Sequence, residues 1–188
     1  YPDTIECVRS LKKITYPDFN VVIVDNGSLD GSATVLKKEF PEIPLIETGK
    51  NLGFAGGSNT GIRHSLAKGA DYIILLNNDT VVDPEFATGL VKASGEDPKA
   101  GILSSKIYFY SRPDVIWYAG ASFNKRLGWG RHKGYNQKDS PKFNRIEPTE
   151  KPCGCSMMVT KELCEKTGLL DEDYFAYAED LEWGMRAK

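Results

Sequence analysis

An α/β fold with a mostly parallel central sheet flanked by helices is what this sequence predicts, and three features predict it. Val21-Val22-Ile23-Val24 and Tyr72-Ile73-Ile74-Leu75-Leu76 are short unbroken apolar runs, the pattern of strands buried on both faces of a parallel sheet. Each run stops abruptly at short polar residues, Asp25-Asn26-Gly27-Ser28 after the first and Asn77-Asn78-Asp79 after the second. Segments of helical period separate them, such as the Ile62, Leu66, Ala67 stripe that stops at Gly69. Polar strand ends of this kind emerge at the carboxyl edge of the sheet, where open α/β folds bind ligands.

Taken in order, the chain opens on a helix with an apolar stripe of Ile5, Val8 and Leu11, started by Pro2-Asp3 with Glu6 three residues on. A helix in this class covers a preceding strand, so a first strand is expected to be missing. Leu181 to Lys188 likewise stops inside a helical pattern, and the sequence reads as trimmed at both ends. Asp30-Gly31-Ser32 opens a helix to about Phe40, and Ile43 to Glu47 reads as an edge strand because Pro44 removes a ladder donor. Asn51 to Gly61, rich in glycine and asparagine, is expected to be a loop turning into the next helix. Asp83-Pro84 starts another helix ending near Gly95, and Ala100 to Lys106 is a strand. From Tyr108 to about Lys151, aromatic residues are scattered among glycines and cations without helical period, which predicts a hairpin-rich excursion. Cys155 to Val159 is a further apolar strand, Thr160 to Gly168 frames a helix, and Glu179-Asp180 stand where the last helix begins.

The bulk composition narrows the function classes. The 188 residues suffice for one domain with a sizeable core. A net charge of −2, from 24 basic and 26 acidic residues, gives no general basic field for nucleic acid. No apolar stretch has the length of a membrane span, and no signal peptide precedes the first helix. The four cysteines, Cys7, Cys153, Cys155 and Cys164, lack the spacing of a zinc site and read as free thiols in a reducing cytosol.

Four polar clusters carry chemical meaning, each with a plain structural reading beside it. Asn77, Asn78 and Asp79 put a carboxylate and amide oxygens on a rigid strand end, a seat for a hard divalent cation carrying a diphosphate; the same residues favour a simple turn. Strand, Asp25, Gly/Ser turn and helix form the layout of a nucleotide site, and equally an ordinary βα connection. The Asn51–Gly61 glycines permit close ligand approach, and the free amides of the following helix favour phosphate, although the spacing is not the dinucleotide fingerprint. Arg126, Arg131, His132 and Lys133, among Tyr110, Trp117, Tyr118, Phe123, Trp129, Tyr135 and Phe143, suit sugar rings and anionic partners, or an aromatic minicore with solvated charges. Glu179 and Asp180 are stabilised as anions at a helix start, with Glu182 and Arg186 as an i, i+4 pair; alternatively one carboxylate removes a proton from an attacking hydroxyl.

Together these blocks resemble the inverting family 2 glycosyltransferases of GT-A fold, above all the bacterial rhamnosyltransferase-like members that build cell-surface polysaccharides. The matching stretches are Val22 to Ser28 with Asp30-Gly31-Ser32, Asn51 to Gly61, Leu75 to Asp79, and Gly154 through Phe175 to Glu179-Asp180 and Arg186, in the family's order. The resemblance implies a nucleotide-diphosphate-sugar donor, dTDP- or UDP-linked, and a saccharide or lipid-linked saccharide acceptor. By the same resemblance Asp25, Asn26, Ser28, Asn51, Gly53, Asn59, Asn78 and Asp79 contact the nucleotide sugar. Asp79, with Asn77, holds Mg²⁺ or Mn²⁺, and Asp180, paired with Glu179, supplies the base. Asn77 stands where the family often has a first acid, leaving one certain carboxylate for the metal.

Residues 1–188 are then expected to form one GT-A domain, with 1–106 as the nucleotide-sugar-binding half and 107–188 as the acceptor-binding and catalytic half. The location implied is cytoplasmic, with peripheral association at the inner face of the membrane. Rival readings are a sugar nucleotidyltransferase and a non-catalytic sugar-nucleotide-binding module. A dehydrogenase lacks its fingerprint here.

Overall fold

The computed structural model describes residues 1–188. Its elements run α1 (Pro2–Leu11), β1 (Ile23–Asp25), α2 (Ser32–Glu39), β2 (Leu45–Glu47), α3 (Gly53–Ala67), β3 (Tyr72–Leu76), α4 (Phe86–Glu96) and β4 (Ile102–Ser104). There follow β5 (Ile107–Phe109), β6 (Arg112–Tyr118), β7 (Ala121–Asn124), β8 (Trp129–His132), β9 (Gln137–Lys138), β10 (Ser156–Thr160), α5 (Lys161–Thr167) and α6 (Glu179–Arg186). No helix is long and apolar enough to cross a membrane.

Outside the excursion, two sheets stand in place of the single mostly parallel one that the apolar runs predict, and the excursion forms two more, β5-β6-β9 and β7-β8. β1 and β2 pair in parallel, Ile23 opposite Leu45. The other sheet has the order β3-β10-β4, and β10 runs antiparallel to both neighbours. The excursion leaves at the end of β4 and returns beside it, the Cys153 N–H donating to Ser104 Oγ at 3.0 Å. A strand reached in that way pairs antiparallel. Met157, Met158 and Val159 are fully buried, and an apolar run buried on both faces carries no mark of its direction.

β1 and β3 are not hydrogen-bonded to each other, yet α3 packs on both. The glycine and asparagine run expected as a loop lies mostly inside this helix. Its glycines serve close packing: a Cβ on Gly61 would stand 3.3 Å from Val24 Cγ2, and one on Gly57 3.0 Å from Asn26 Nδ2. From the same helix Ile62 enters the main core with Ile73, Leu75, Met157, Val159, Leu163 and Trp183. Each such aliphatic side chain contributes about 1.5–3 kcal/mol on burial. A smaller cluster of Val8, Leu36 and Phe40 joins α1 to α2, and Tyr118, Ala121 and Cys153 seal the base of the excursion.

Asn59 is the clearest departure from its expected role. It is 1 % exposed, with its amide Nδ2 donating to Leu170 O (2.8 Å) and Glu172 Oε1 (2.9 Å) while Oδ1 accepts from Leu170 N (3.1 Å). The side chain thus mimics a strand partner for Leu170 and latches α3 to the segment before α6; it faces the core and has no open side for a nucleotide. Asn59→Ala would leave the Leu170 N–H and C=O buried without partners. The expected loss is about 2–4 kcal/mol, seen as a lower urea midpoint with an unchanged slope.

Candidate active site

The polar residue after β1 begins the site. Asp25 is buried at the strand end, and its Oδ2 accepts from Ser28 N at 3.2 Å. The turn between them needs Gly27, at φ +79°, where a Cβ would come within 2.4 Å of the Lys50 carbonyl carbon. Ser28 itself is exposed. Asn26 spends its amide on the neighbouring loop: Nδ2 donates to Asn51 Oδ1 (3.2 Å) and Gly53 O (2.9 Å), and Oδ1 accepts from Leu52 N (3.0 Å).

This clamp closes the start of α3. Leu52 N is held by Asn26, Gly53 N by Asn51 Oδ1 at 2.9 Å, and Phe54 N by Phe175 O at 2.8 Å. The leading amides expected to be open to phosphate are therefore satisfied within the protein. Gly53 is required for that contact, since a Cβ there would lie 2.3 Å from Phe175 O. Asn78 is similarly committed, its Nδ2 donating to Thr4 Oγ1 of α1 at 2.8 Å.

Asp79 and Asn77 are different. No hydrogen bond or ion pair engages the Asp79 carboxylate, which is exposed and borders a broad hollow of about 2180 Å³. The hollow runs from the end of β3 along α4 to the excursion, where Tyr118, Arg131, His132 and Arg145 form part of its wall. The Asn77 side chain is also without a protein partner; its backbone alone is used, with N donating to Cys155 O (2.9 Å) and O accepting from Thr80 Oγ1 (2.7 Å). No cluster of three or more His, Cys, Asp or Glu side chains is present anywhere in the chain to cage a metal.

Asp180 receives one backbone N–H on each oxygen, Gly154 N on Oδ2 at 3.0 Å and Leu181 N on Oδ1 at 2.7 Å. Both oxygens keep a further lone pair. The Cys153-Gly154-Cys155 turn therefore touches both acidic motifs, giving its Gly154 N–H to Asp180 and its Cys155 C=O to Asn77. Asp79 lines the hollow while Asp180 lies across this turn and does not. Nothing in the composition of Cys-Gly-Cys marked it as a connector; only its place before a strand did.

Burial sets the state of several neighbours. It pushes the Cys155 thiol up to about 12, leaving a neutral thiol beside Asp79, and the Tyr118 phenol also to about 12. The four cysteines are unpaired. Around His132 the aromatic minicore reading holds: its ring meets Trp117 and Tyr118 edge-on at 5.0 and 5.2 Å. Tyr177 and Ala178, both at positive φ, lead directly into α6, strain that the surrounding packing must hold in place.

The family assignment rests on sequence. The description Glycosyl transferase family 2 matches residues 1–167. The chain belongs to this family. It is 30 % identical over 205 residues to the N-acetylglucosaminyl-diphospho-decaprenol L-rhamnosyltransferase of Mycobacterium tuberculosis, covering 95 % of this chain and 64 % of that protein. It is 30 % identical over 176 residues to the dTDP-rhamnosyl transferase RfbF of Shigella flexneri, covering 88 % and 53 %. The chain thus spans roughly half to two-thirds of the length of these relatives.

Solved structures agree on the fold. The mannosyltransferase PcManGT of Pyrobaculum calidifontis, in complex with GDP-Man and Mn²⁺, superposes with a TM-score of 0.68 at 18 % identity, over 99 % of this chain and 48 % of that one. S. aureus TarS 1–349 with UDP-GlcNAc gives a TM-score of 0.63 at 18 % identity, over 98 % and 49 %. The fold of this family 2 chain is of the GT-A type.

Glu179, paired with Asp180 in the sequence, behaves unlike it. It is 6 % exposed, Oε2 has no partner, and burial pushes its carboxyl above the usual carboxylate range despite the helix start. A carboxyl raised on folding favours the folded state most at low pH, and that advantage fades as pH climbs from about 4.5 through the raised value. Glu179→Gln removes the titration. The variant is expected to melt higher than wild type at neutral pH, with the gain shrinking toward pH 4 in calorimetric scans.

Proposed function

We propose that this chain transfers a sugar from a nucleotide-diphosphate donor, dTDP- or UDP-linked, to a saccharide or lipid-linked saccharide acceptor, with inversion at the anomeric carbon. One observation carries the reading: the Cys153–Cys155 turn hydrogen-bonds to both the Asp180 carboxylate and the strand end that bears Asp79. In a family 2 chain this joins a proton acceptor to an unpaired carboxylate facing a hollow. The names of the relatives and the nucleotide ligands of the solved neighbours support a nucleotide-sugar donor.

Asp180 takes the proton of the acceptor hydroxyl as that oxygen bonds to the anomeric carbon. The bond from that carbon to the diphosphate oxygen breaks on the opposite face, and the nucleoside diphosphate leaves with the electron pair. The N–H groups of Gly154 and Leu181 fix the carboxylate and leave lone pairs free for the proton. Asp25, at the end of β1, is the candidate nucleoside contact, with Ser28 exposed beside it. The commitments of Asn26, Asn51, Gly53 and Asn78 to the protein make them positioning residues for the strand ends that carry Asp25 and Asp79.

Asp79 and the Asn77 amide fit a divalent cation shared with a diphosphate, because their donor atoms are unpaired and too few for a cage of their own. Mg²⁺ or Mn²⁺ held there would neutralise charge on the leaving diphosphate. We assign the protein to the cytoplasm, against the inner face of a membrane, where a lipid-linked acceptor is presented.

Asp180→Asn should lower transfer by about 10²–10⁴-fold while nucleotide-sugar binding, followed by calorimetry, persists. Wild-type turnover in that variant would remove Asp180 as base. Nucleotide sugars screened by thermal shift with and without Mn²⁺ should raise the melting temperature more with the metal, and Asp79→Ala should abolish the difference. Binding without transfer or donor hydrolysis would instead favour a non-catalytic module.

A further inference from the structure

The hairpin of β7 and β8 has no role in the chemistry above. The two strands pair only with each other, Asn124 opposite Trp129, and close on a four-residue tip, Lys125-Arg126-Leu127-Gly128. The tip is braced from within: Asn124 Oδ1 accepts from Arg126 N (3.0 Å) and Leu127 N (3.1 Å). Its base is pinned by Phe123 N to Glu150 Oε2 (2.6 Å) and Ala121 N to Thr149 Oγ1 (2.9 Å). The side chains of this braced loop point outward, all four tip residues being exposed.

Those side chains are apolar and cationic together. Leu127 is 76 % exposed and Trp129 60 %. From Val115 to Lys138 the sequence holds no Asp or Glu, although the whole chain is slightly acidic. Lys133 and Lys138 are neutralised by Glu147 and Asp114. Lys125, Arg126 and Arg131 have no carboxylate partner, so cationic charge collects around the exposed Leu127 and Trp129.

We infer that this hairpin tip is a membrane-docking element, with Leu127 and Trp129 entering the headgroup region of an anionic bilayer between the lipid phosphates held by Lys125 and Arg126. Tryptophan suits that boundary because its ring is apolar and its N–H stays hydrated. The cations supply the attraction to anionic lipid that a single apolar tip lacks. The inference deepens the membrane-face part of the proposed function and does not depend on turnover.

The full chain is sedimented with vesicles of phosphatidylglycerol and phosphatidylcholine, and with phosphatidylcholine alone, while tryptophan emission is followed. Pelleting only with the anionic vesicles is expected, weakened by high salt, with a blue shift that disappears in Trp129→Phe. Lys125→Glu combined with Arg126→Glu should weaken vesicle binding by about tenfold or more. Because the tip is exposed, melting temperature and transfer to a water-soluble acceptor should stay at wild-type values. That lipid-free assay separates the two proposals, since either readout can fail without the other. Absence of pelleting by the folded wild type, or equal binding by the charge-reversed variant, would overturn the inference. So would self-association that Leu127→Ser abolishes in sedimentation velocity without lipid.

Discussion

One peptide turn holds the candidate chemistry together. Cys153-Gly154-Cys155 enters β10 between the ends of β4 and β3, and from there it gives an N–H to Asp180 and a carbonyl to Asn77. Asp180 is about a hundred residues from Asp79 along the chain, so no local preference relates them. The relation comes from β10 being inserted between β3 and β4, with register fixed by Ser156 against Leu76 and Met157 against Ser104. A slip of one residue would exchange the faces to which Met157 and Met158 point, and would also move the turn off both acidic motifs. Packing of the sheet and placement of the site are therefore the same constraint.

A second constraint acts by elimination. Backbone groups at strand ends and helix starts must be paired before side chains are free for a ligand. Here Asn26, Asn51 and Asn59 meet that need, clamping the loop before α3, holding the first helical N–H and latching Leu170, while the Asn78 amide ties the end of β3 to Thr4 of α1. Asp79 and the Asn77 side chain have no such task. The polar residues near the carboxyl edge thus divide into a scaffold that is spent and a small remainder that is available.

The elements were legible in the sequence wherever a single element decides its own form. The positions of strands β1 and β3, which are only partly buried rather than covered on both faces, the N-cap of α5, where Thr160 Oγ1 accepts from Leu163 N at 3.1 Å, and the start of α6 at Glu179 all follow from local pattern. What was not legible depends on partners distant in sequence. Glycine and asparagine are poor helix formers, so the start of α3 reads as loop until Val24 and Phe175 are seen against it. The reversed direction of β10 and the spent state of Asn59 have the same origin. Glu179 and Asp180 look equivalent as a pair of acids, and only burial separates a carboxyl with an unpartnered oxygen from one held by two amides.

The excursion between β4 and β10 follows from the same logic. Tyr118 is driven into the small core with Ala121 and Cys153, and its hydroxyl donates to Lys151 O at 2.8 Å. That buried anchor holds the root of the excursion against the turn bearing Gly154. Its far end is the β7–β8 tip, where apolar and cationic side chains stay in water. One segment therefore runs from the immediate surroundings of Asp180 to the exposed cations Lys125 and Arg126. Between the two ends, Tyr118 and His132 pack edge-on at 5.2 Å in the wall of the hollow. The proposed acceptor site and the proposed membrane surface are, in this fold, two ends of a single pinned insertion.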